Sequence, residues 1–488
     1  MKATFVGFLI LSIVLFVLGQ ATISDDTDPE KTTLVWSTDP NPMRSGQIGG
    51  FSEMFPGTEV TIDSGLGGDN TKLIVQCATG TGPDLIDIYD KRTMETFIQA
   101  GILMDLTEKA EELGFGPDQT FESVRDAITY DGKQYRFPCN IASNNILYNK
   151  AIFDQYDVPY PEPGWTFQDL IEAGVALRER SGGDLIPLTD FSIIELLALY
   201  GADFFQAGGL YSAFDSEQAI AAMQMRHDLM FEHRVIPTAS EAAATTSQGG
   251  WGGGGTQIWF YNEIAAMHSS GRWLIVQLRN PTYNFLGGKL AVADLPKPVG
   301  YPESKGILAT RAAAVNVEGQ ADEAIKFLQY LASDDYSWRI VRDGDGMPPD
   351  PELSTPEILA QFEIPNPDVS REMREMLQSP EFHKPFVDSL QRARSFNTSP
   401  FIDSGLVTRW LDEARGYVDA ETMEPRQAML WVTKQVEDEI AKNLERRPDL
   451  QEKFEEVTGE PYREDWRERL PKGEYVPPPG YPGSTETP

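Results

Sequence analysis

A chain of 488 residues is longer than one hydrophobic core sustains and calls for two to four structural units of roughly 100–200 residues each. Its 75 Asp and Glu against 41 Lys and Arg leave a formal net charge of −34, which repels phosphate backbones and anionic lipid, so nucleic acid is not an expected partner. With 41% hydrophobic and 10% aromatic residues the chain is globular, and two cysteines are too few for a disulfide framework.

The N-terminus carries one Lys, an apolar run from Ala3 to Leu18, and then Gly19-Gln20-Ala21, the pattern of an export signal with a small-residue cleavage site. Residues 1–24 therefore read as a signal peptide, with an uncleaved anchor as the alternative because the run is only slightly short of a spanning helix. No Cys follows the run, so a lipid-attached form is not expected. After an acidic spacer, Thr32 to Trp36 reads as a strand, a helical stretch carries Phe51, Met54 and Phe55, and Thr58 to Ile62 alternates as a second strand behind Pro56-Gly57. A helix through Leu73, Ile74 and Cys77, a strand from Leu85 to Tyr89 and a helix through Met94, Phe97 and Ile98 continue an α/β layer. Cys77 and Cys139 both lie in apolar contexts and read as two buried free thiols; pairing in an oxidising compartment is the alternative.

The stretch Asp131 to Lys150 stands out. It leaves a Tyr130-Asp131-Gly132 turn, runs extended through Pro138, and is interrupted by small polar residues from Asn140 to Asn145 before Tyr148-Asn149-Lys150. Such an insert in an apolar strand marks a crossing between units, a ligand site, or simply an edge loop. Thr166 with Asp169 opens an amphipathic helix to Arg180, Leu185 to Leu188 reads as an edge strand, and helices follow from Ile193 and from Asp215. Gln248 to Gly255 is Gly-rich but lacks the Gly-Lys-Ser/Thr ending of a phosphate loop. Strands at Leu290 to Pro296 and Ala312 to Val315 precede a helix over Asp322 to Leu331; beyond Pro348-Pro349 the chain is mostly helical to Leu444. Residues 446–488 are charged, then Pro-rich, and read as a tail or wrap-around arm without a core of its own.

Chemistry that transforms a substrate is poorly represented. The four histidines have no metal-ligand spacing, no Gly-x-Ser-x-Gly elbow is present, and carboxylate pairs are inevitable among 75 acids. No metal, no cofactor and no catalytic residue are expected. Aromatics do fall where strands end or loops begin, at Trp36, Tyr89, Phe191, Trp251, Trp273 and Phe401, among Asp, Asn, Ser and Arg. Rings edged by hydrogen-bonding groups suit the apolar face and hydroxyl rim of a sugar, although any single one of them is expected to belong to the core.

Five stretches in order carry a family resemblance. They are Leu34-Val35-Trp36-Ser37 with Phe55-Pro56-Gly57-Thr58-Glu59-Val60; Gly80-Thr81-Gly82-Pro83-Asp84-Leu85-Ile86 with Ala100-Gly101-Ile102-Leu103-Met104-Asp105-Leu106; Asp131-Gly132-Lys133 to Tyr148-Asn149-Lys150 with Trp165-Thr166; Ala265-Ala266-Met267 with Gly271-Arg272-Trp273; and Ala324 to Leu328 with Met347-Pro348. Over Thr32 to Leu444 the chain thereby resembles the extracellular solute-binding proteins of ABC importers, in the sugar-binding class that includes maltose-binding protein. The resemblance implies an α/β periplasmic-binding-protein-like fold. Two discontinuous lobes, 25–140 plus 297–347 and 141–296 plus 348–445, would be joined by crossings near Asn140, Pro296 to Pro298 and Gly346 to Pro349.

It further implies an exported, periplasmic or extracellular, monomeric and non-enzymatic protein that hands a carbohydrate to an ABC permease and touches membrane only through an N-terminal anchor. The implied ligand-binding residues are Trp36, Ser37, Asp39, Asp87, Asp90, Asn140, Ser143, Asn144, Phe191, Ser192, Trp251, Trp273, Asn397 and Phe401. Ala142 stands where maltose-type binders carry an acidic contact, which argues against maltodextrin itself. A binder of a charged solute such as a polyamine, and a secreted carbohydrate-active enzyme, are the competing readings.

Overall fold

The computed structural model of the protein describes residues 31–64, 70–243, 257–278, 289–364 and 369–477. The export or anchor segment, the Gly-rich stretch with Trp251, and the final Pro-rich residues lie outside the described residues.

Nine strands form the two main sheets: β1 (Thr32–Ser37), β2 (Thr58–Asp63), β3 (Leu85–Ile88), β4 (Arg136–Ser143), β5 (Asn145–Asn149), β6 (Ile186–Leu188), β7 (Ala265–Ser270), β8 (Leu290–Ala293) and β9 (Leu308–Val315). The helices that matter below are α1 (Arg44–Met54), α2 (Asn70–Ala78), α3 (Lys91–Gln99), α4 (Glu122–Ile128), α5 (Phe167–Arg180), α6 (Ile193–Leu199), α7 (Glu217–His227), α8 (Ala321–Leu331), α9 (Pro380–Arg392), α10 (Ser404–Asp419), α11 (Pro425–Arg446) and α12 (Pro448–Thr458).

The first lobe is a five-stranded sheet in the order β2-β1-β3-β9-β4. β1 pairs parallel with both β2 and β3, while β9 runs antiparallel between β3 and β4. Helices follow β1, β2 and β3 as crossovers, so the carboxyl ends of the parallel strands share one edge, where open α/β sheets bind ligands. The second lobe is a four-stranded sheet in the order β8-β5-β7-β6, with β6 at its edge as its short Leu-Ile-Pro-Leu sequence suggests.

Between the sheets, β4 and β9 continue past their neighbours. Asn140 to Ser143 pair with Leu308 to Arg311, whereas β3 reaches only Ala312 to Val315. The break between β4 and β5 falls at Asn144, inside the polar insert, because the insert stays hydrogen-bonded to β9 until Ser143. The return passes between Ala293 and Leu308, and Met347 bridges to Ile141 where the chain leaves the first lobe for the last time. Apolar side chains of α4, β4, β9 and α9 form a cluster beneath these connections.

Local signals are realised in detail. Asp131 and Gly132 both adopt positive φ, 53° and 73°, in a two-residue hairpin turn. Thr166 and Asp169 make the reciprocal capping box of α5, and Thr166→Ala is expected to cost about 1 kcal/mol in chemical denaturation. Cys77 and Cys139 are free and buried. The segment after Arg446 takes the second of the two expected forms, an arm packed on the second lobe. Leu450, Phe454 and Val457 face one side of α12 and, with Trp466 and Leu470, complete the second lobe's core. The charged residues around them hide a helical spacing that needs a partner surface, supplied by Phe401 and Tyr211.

Candidate functional site

A cavity of about 270 Å³ opens between the lobes. Its first-lobe wall is built from strand ends and the crossing ribbon: Asp39 after β1, Arg44 at the start of α1, Tyr89 after β3, Asn140 and Ala142 on β4, Ala309 and Arg311 on β9, and Asp345. The second lobe contributes Gln257, Tyr261, Trp273, Leu274 and Gln277. Three aromatic rings thus converge with carboxylate and amide groups.

Trp273 owes its place to its neighbour. β7 ends at Ser270, and a Cβ built at Gly271 would sit 2.0 Å from the Trp273 ring, so the ring lies over a backbone that has no side chain there. Arg272, between them, is fully buried and donates to the carbonyls of Gly346 and Leu359 and to His383 Nδ1. It ties the Trp273 loop to the last interlobe connection. Burial pushes the Arg272 guanidinium down to about 9, only partly offset by Asp345.

Beneath the first-lobe wall lies a buried ionic network. Arg311 Nη1 stands 2.9 Å from Asp87 Oδ2 and Nη2 3.6 Å from Asp345 Oδ2. Arg44 contacts Asp345 Oδ2 and Asp39 Oδ1, each at 2.5 Å. Both guanidiniums also stand over the Trp36 ring, at 5.6 and 6.0 Å from its centroid. Burial works against ionisation of Asp345, but Arg44 and Arg311 outweigh it and hold the carboxyl below the ordinary range. Burial likewise opposes the charge on Arg44, as does Arg311, yet Asp345 and Asp39 keep its pKa raised. Two cations against three carboxylates leave little net charge, and the one exposed oxygen edge belongs to Asp39, whose Oδ2 takes no hydrogen bond among the described residues.

Of the sequence-selected residues, Asp39, Asn140 and Trp273 line the cavity. Ser37 is buried at the end of β1, next to that wall. Asp87 lies underneath, accepting from Trp36 Nε1 at 2.8 Å and from Thr38, so it shapes the wall without forming it. The expectation that Trp36, Phe191 and Phe401 would face a ligand is corrected: all three are fully buried. Trp36 packs on Phe327, Phe191 on Phe167 and Phe401 on Phe454, because strand-end aromatics here turn into the cores of their own lobes. Asp90 is the N-cap of α3 and Ser192 that of α6. Ser143 is buried against Gly306, and Asn144 lies by Glu195, a buried carboxyl that accepts from the Ser269 hydroxyl and that burial pushes up to about 7. The Asn397 N–H donates to Asp203, away from the cavity. Trp251 lies outside the described residues.

Sequence reasoning missed Arg44, Arg311, Asp345, Tyr261, Gln257 and Gln277, and noted Tyr89 only as a strand-end aromatic. Arg311 alone had a legible signal, as a single cation inside an otherwise apolar strand flanking a crossing. Among the described residues no cluster suits a metal ion, and no helix is long and apolar enough to cross a membrane.

Two α/β lobes joined by three connections around an aromatic and polar cleft define a two-lobed solute-binding protein. The chain belongs to the bacterial extracellular solute-binding protein family, whose sequence model matches residues 37–338, more than half of the chain. It is 28% identical over 193 residues to the melibiose/raffinose/stachyose-binding protein MelE of Bacillus subtilis; the match spans 38% of this chain and 42% of that protein's length. Among solved structures it is similar in fold to an ABC substrate-binding protein of Listeria monocytogenes in complex with cycloalternan, with a TM-score of 0.68, 18% identity, and 85% of this chain and 99% of that one covered. A Thermotoga lettingae solute-binding protein bound with α-D-tagatose gives 0.69, 18% identity, and 84% and 100% coverage.

Proposed function

We propose that this protein captures a neutral sugar or polyol between its lobes outside the cytoplasmic membrane and delivers it, chemically unaltered, to an ABC permease. The observation that carries the reading is a cleft lined by the accessible rings of Tyr89 and Trp273, with the buried Tyr261 beside them, while the arginines and most carboxylates are already paired with one another. A polyamine needs carboxylates that are not neutralised, and an anionic solute needs a free guanidinium; this wall offers neither in quantity. Relatives named for melibiose, raffinose, stachyose and tagatose support a carbohydrate. Asp39 Oδ2 and the Gln257 amide are the natural partners for hydroxyls, the Asn140 amide being engaged by the Asp345 carbonyl and by Arg311. The moving bodies are the two lobes, the first keeping β4 as far as Ser143 because it stays paired with β9, and the second reaching past residue 445 to take in α12.

A thermal-shift screen of melibiose, raffinose, tagatose, maltose and spermidine against the pure protein tests the reading. A raised melting temperature with a sugar, insensitive to salt and without product formation, is the expected result. Stabilisation by spermidine alone, weakening steeply in salt, would replace it with a charged-solute binder.

A further inference from the structure

Apart from the cavity, the crossings and an ion pair of Lys453 on α12 with Asp131, the lobes meet along α3, which follows β3 in the first lobe. Arg92 donates to Thr408 Oγ1 at 3.2 Å and stands 4.8 Å over the Phe204 ring, and Thr96 donates to Asp403 Oδ2 at 3.1 Å. Between them, Glu95 Oε1 accepts the Thr398 hydroxyl at 2.5 Å. Phe204, Thr398, Asp403 and Thr408 all belong to the second lobe, and α3 starts one residue beyond Asp90, two from the cavity-lining Tyr89. This seam therefore adjoins the cleft.

Glu95 is 1% exposed here, and its Oε2 has no partner among the described residues. The charged groups around it are Asp90, Lys91 and Arg92 on its own helix, Asp126 on α4, and Asp403 at the N-cap of α10. Lys91, the cation best placed to hold a carboxylate, is already paired with Asp126 at 2.5 Å. An ionised, half-satisfied carboxylate is costly in such a place, while a protonated one is tolerated.

We propose that Glu95 makes closure of the two lobes proton-linked: shutting the seam buries a protonated Glu95 against Thr398, and opening it returns an ordinary carboxylate to water. The inference rests on the reading that the lobes close on a solute. Burial pushes the group up to about 8 in the closed seam, with Thr398 and Lys91 opposing and Asp126 and Asp90 adding to the rise. Since the closed form holds a proton that the open form sheds above the ordinary carboxylate range, closure is fully favoured at low pH. It weakens by up to about tenfold per pH unit as pH rises toward the closed-state pKa and levels off above it.

The test needs no solute. A dye pair on the full chain carrying Glu108→Cys in the first lobe and Glu179→Cys in the second reports lobe separation by energy transfer from pH 5 to 9. The closed fraction is expected to fall with pH in the otherwise unaltered protein and to stay level in Glu95→Gln. A level profile without that change, or an unaltered slope with it, overturns the proposal. Should Glu95→Gln not fold, Thr398→Val removes a bond that favours the ionised form and must move the transition to higher pH; an unmoved transition is equally fatal. Because the readout is solute-free, a failed sugar screen bears on the proposed function and leaves this result to stand or fall separately.

Discussion

Arg311→Met is expected to destabilise the protein by about 3–5 kcal/mol, because it strands Asp87 in the interior without a cation and leaves Asp345 to Arg44 alone. The side chains of Arg311 and Asp87 are almost wholly withdrawn from water, so solvent cannot screen the orphaned Asp87 charge. Urea denaturation reads the effect directly. Adding Asp87→Asn should recover a substantial part of it, since the double change removes both members of the closest pair. A loss below about 1 kcal/mol, within the range of exposed pairs, would mean that the network is solvated and that the neutral-cleft argument fails. The same network sets an acid limit. Asp345 has a lowered pKa, so its contribution is present above the ordinary carboxylate range and disappears as pH falls through the lowered value. Arg311→Met should make acid unfolding begin at higher pH than in the unaltered protein.

Trp273→Ala is expected to weaken whatever sugar the screen identifies by about 30- to 140-fold, equivalent to about 2–3 kcal/mol, the range for truncating a central aromatic contact. The ring is only partly buried and borders open space in the cleft, so its melting temperature without ligand should change little. Gly271→Ala is an independent probe, since the added methyl would displace the ring by steric contact alone. Calorimetric titration of both variants decides the matter; unaltered affinity in Trp273→Ala would remove the ring from the site.

The contrast between the two predictions reflects how each residue came to light. Trp273 follows a strand and a glycine, a local pattern that places a ring at a sheet edge whatever the rest of the chain does. Arg311 acquires its role only because β9 inserts between β3 and β4, bringing it to Asp87, more than two hundred positions earlier, and beside Asp345. Trp36 shows the converse. As a strand-end aromatic it looks like a platform, yet its indole N–H is spent on Asp87 and its ring on Phe327. Which side of a strand end faces the cleft depends on what packs against the sheet, and hydropathy at a single position does not carry that information.

The amino-acid sequence by itself determined the alternation of strands and helices, the capping box at Thr166, the turn at Asp131-Gly132, and the order of motifs that marks the family. These depend on spacing, turn chemistry and propensity, which act over a few residues. Tertiary structure alone decided that the polar insert stays in the first sheet as far as Ser143, that α12 closes the second lobe's core, and that two arginines neutralise the floor of the cleft. Each of those outcomes joins residues far apart in the chain through burial and charge pairing, and such pairings have no local signature until the lobes are assembled.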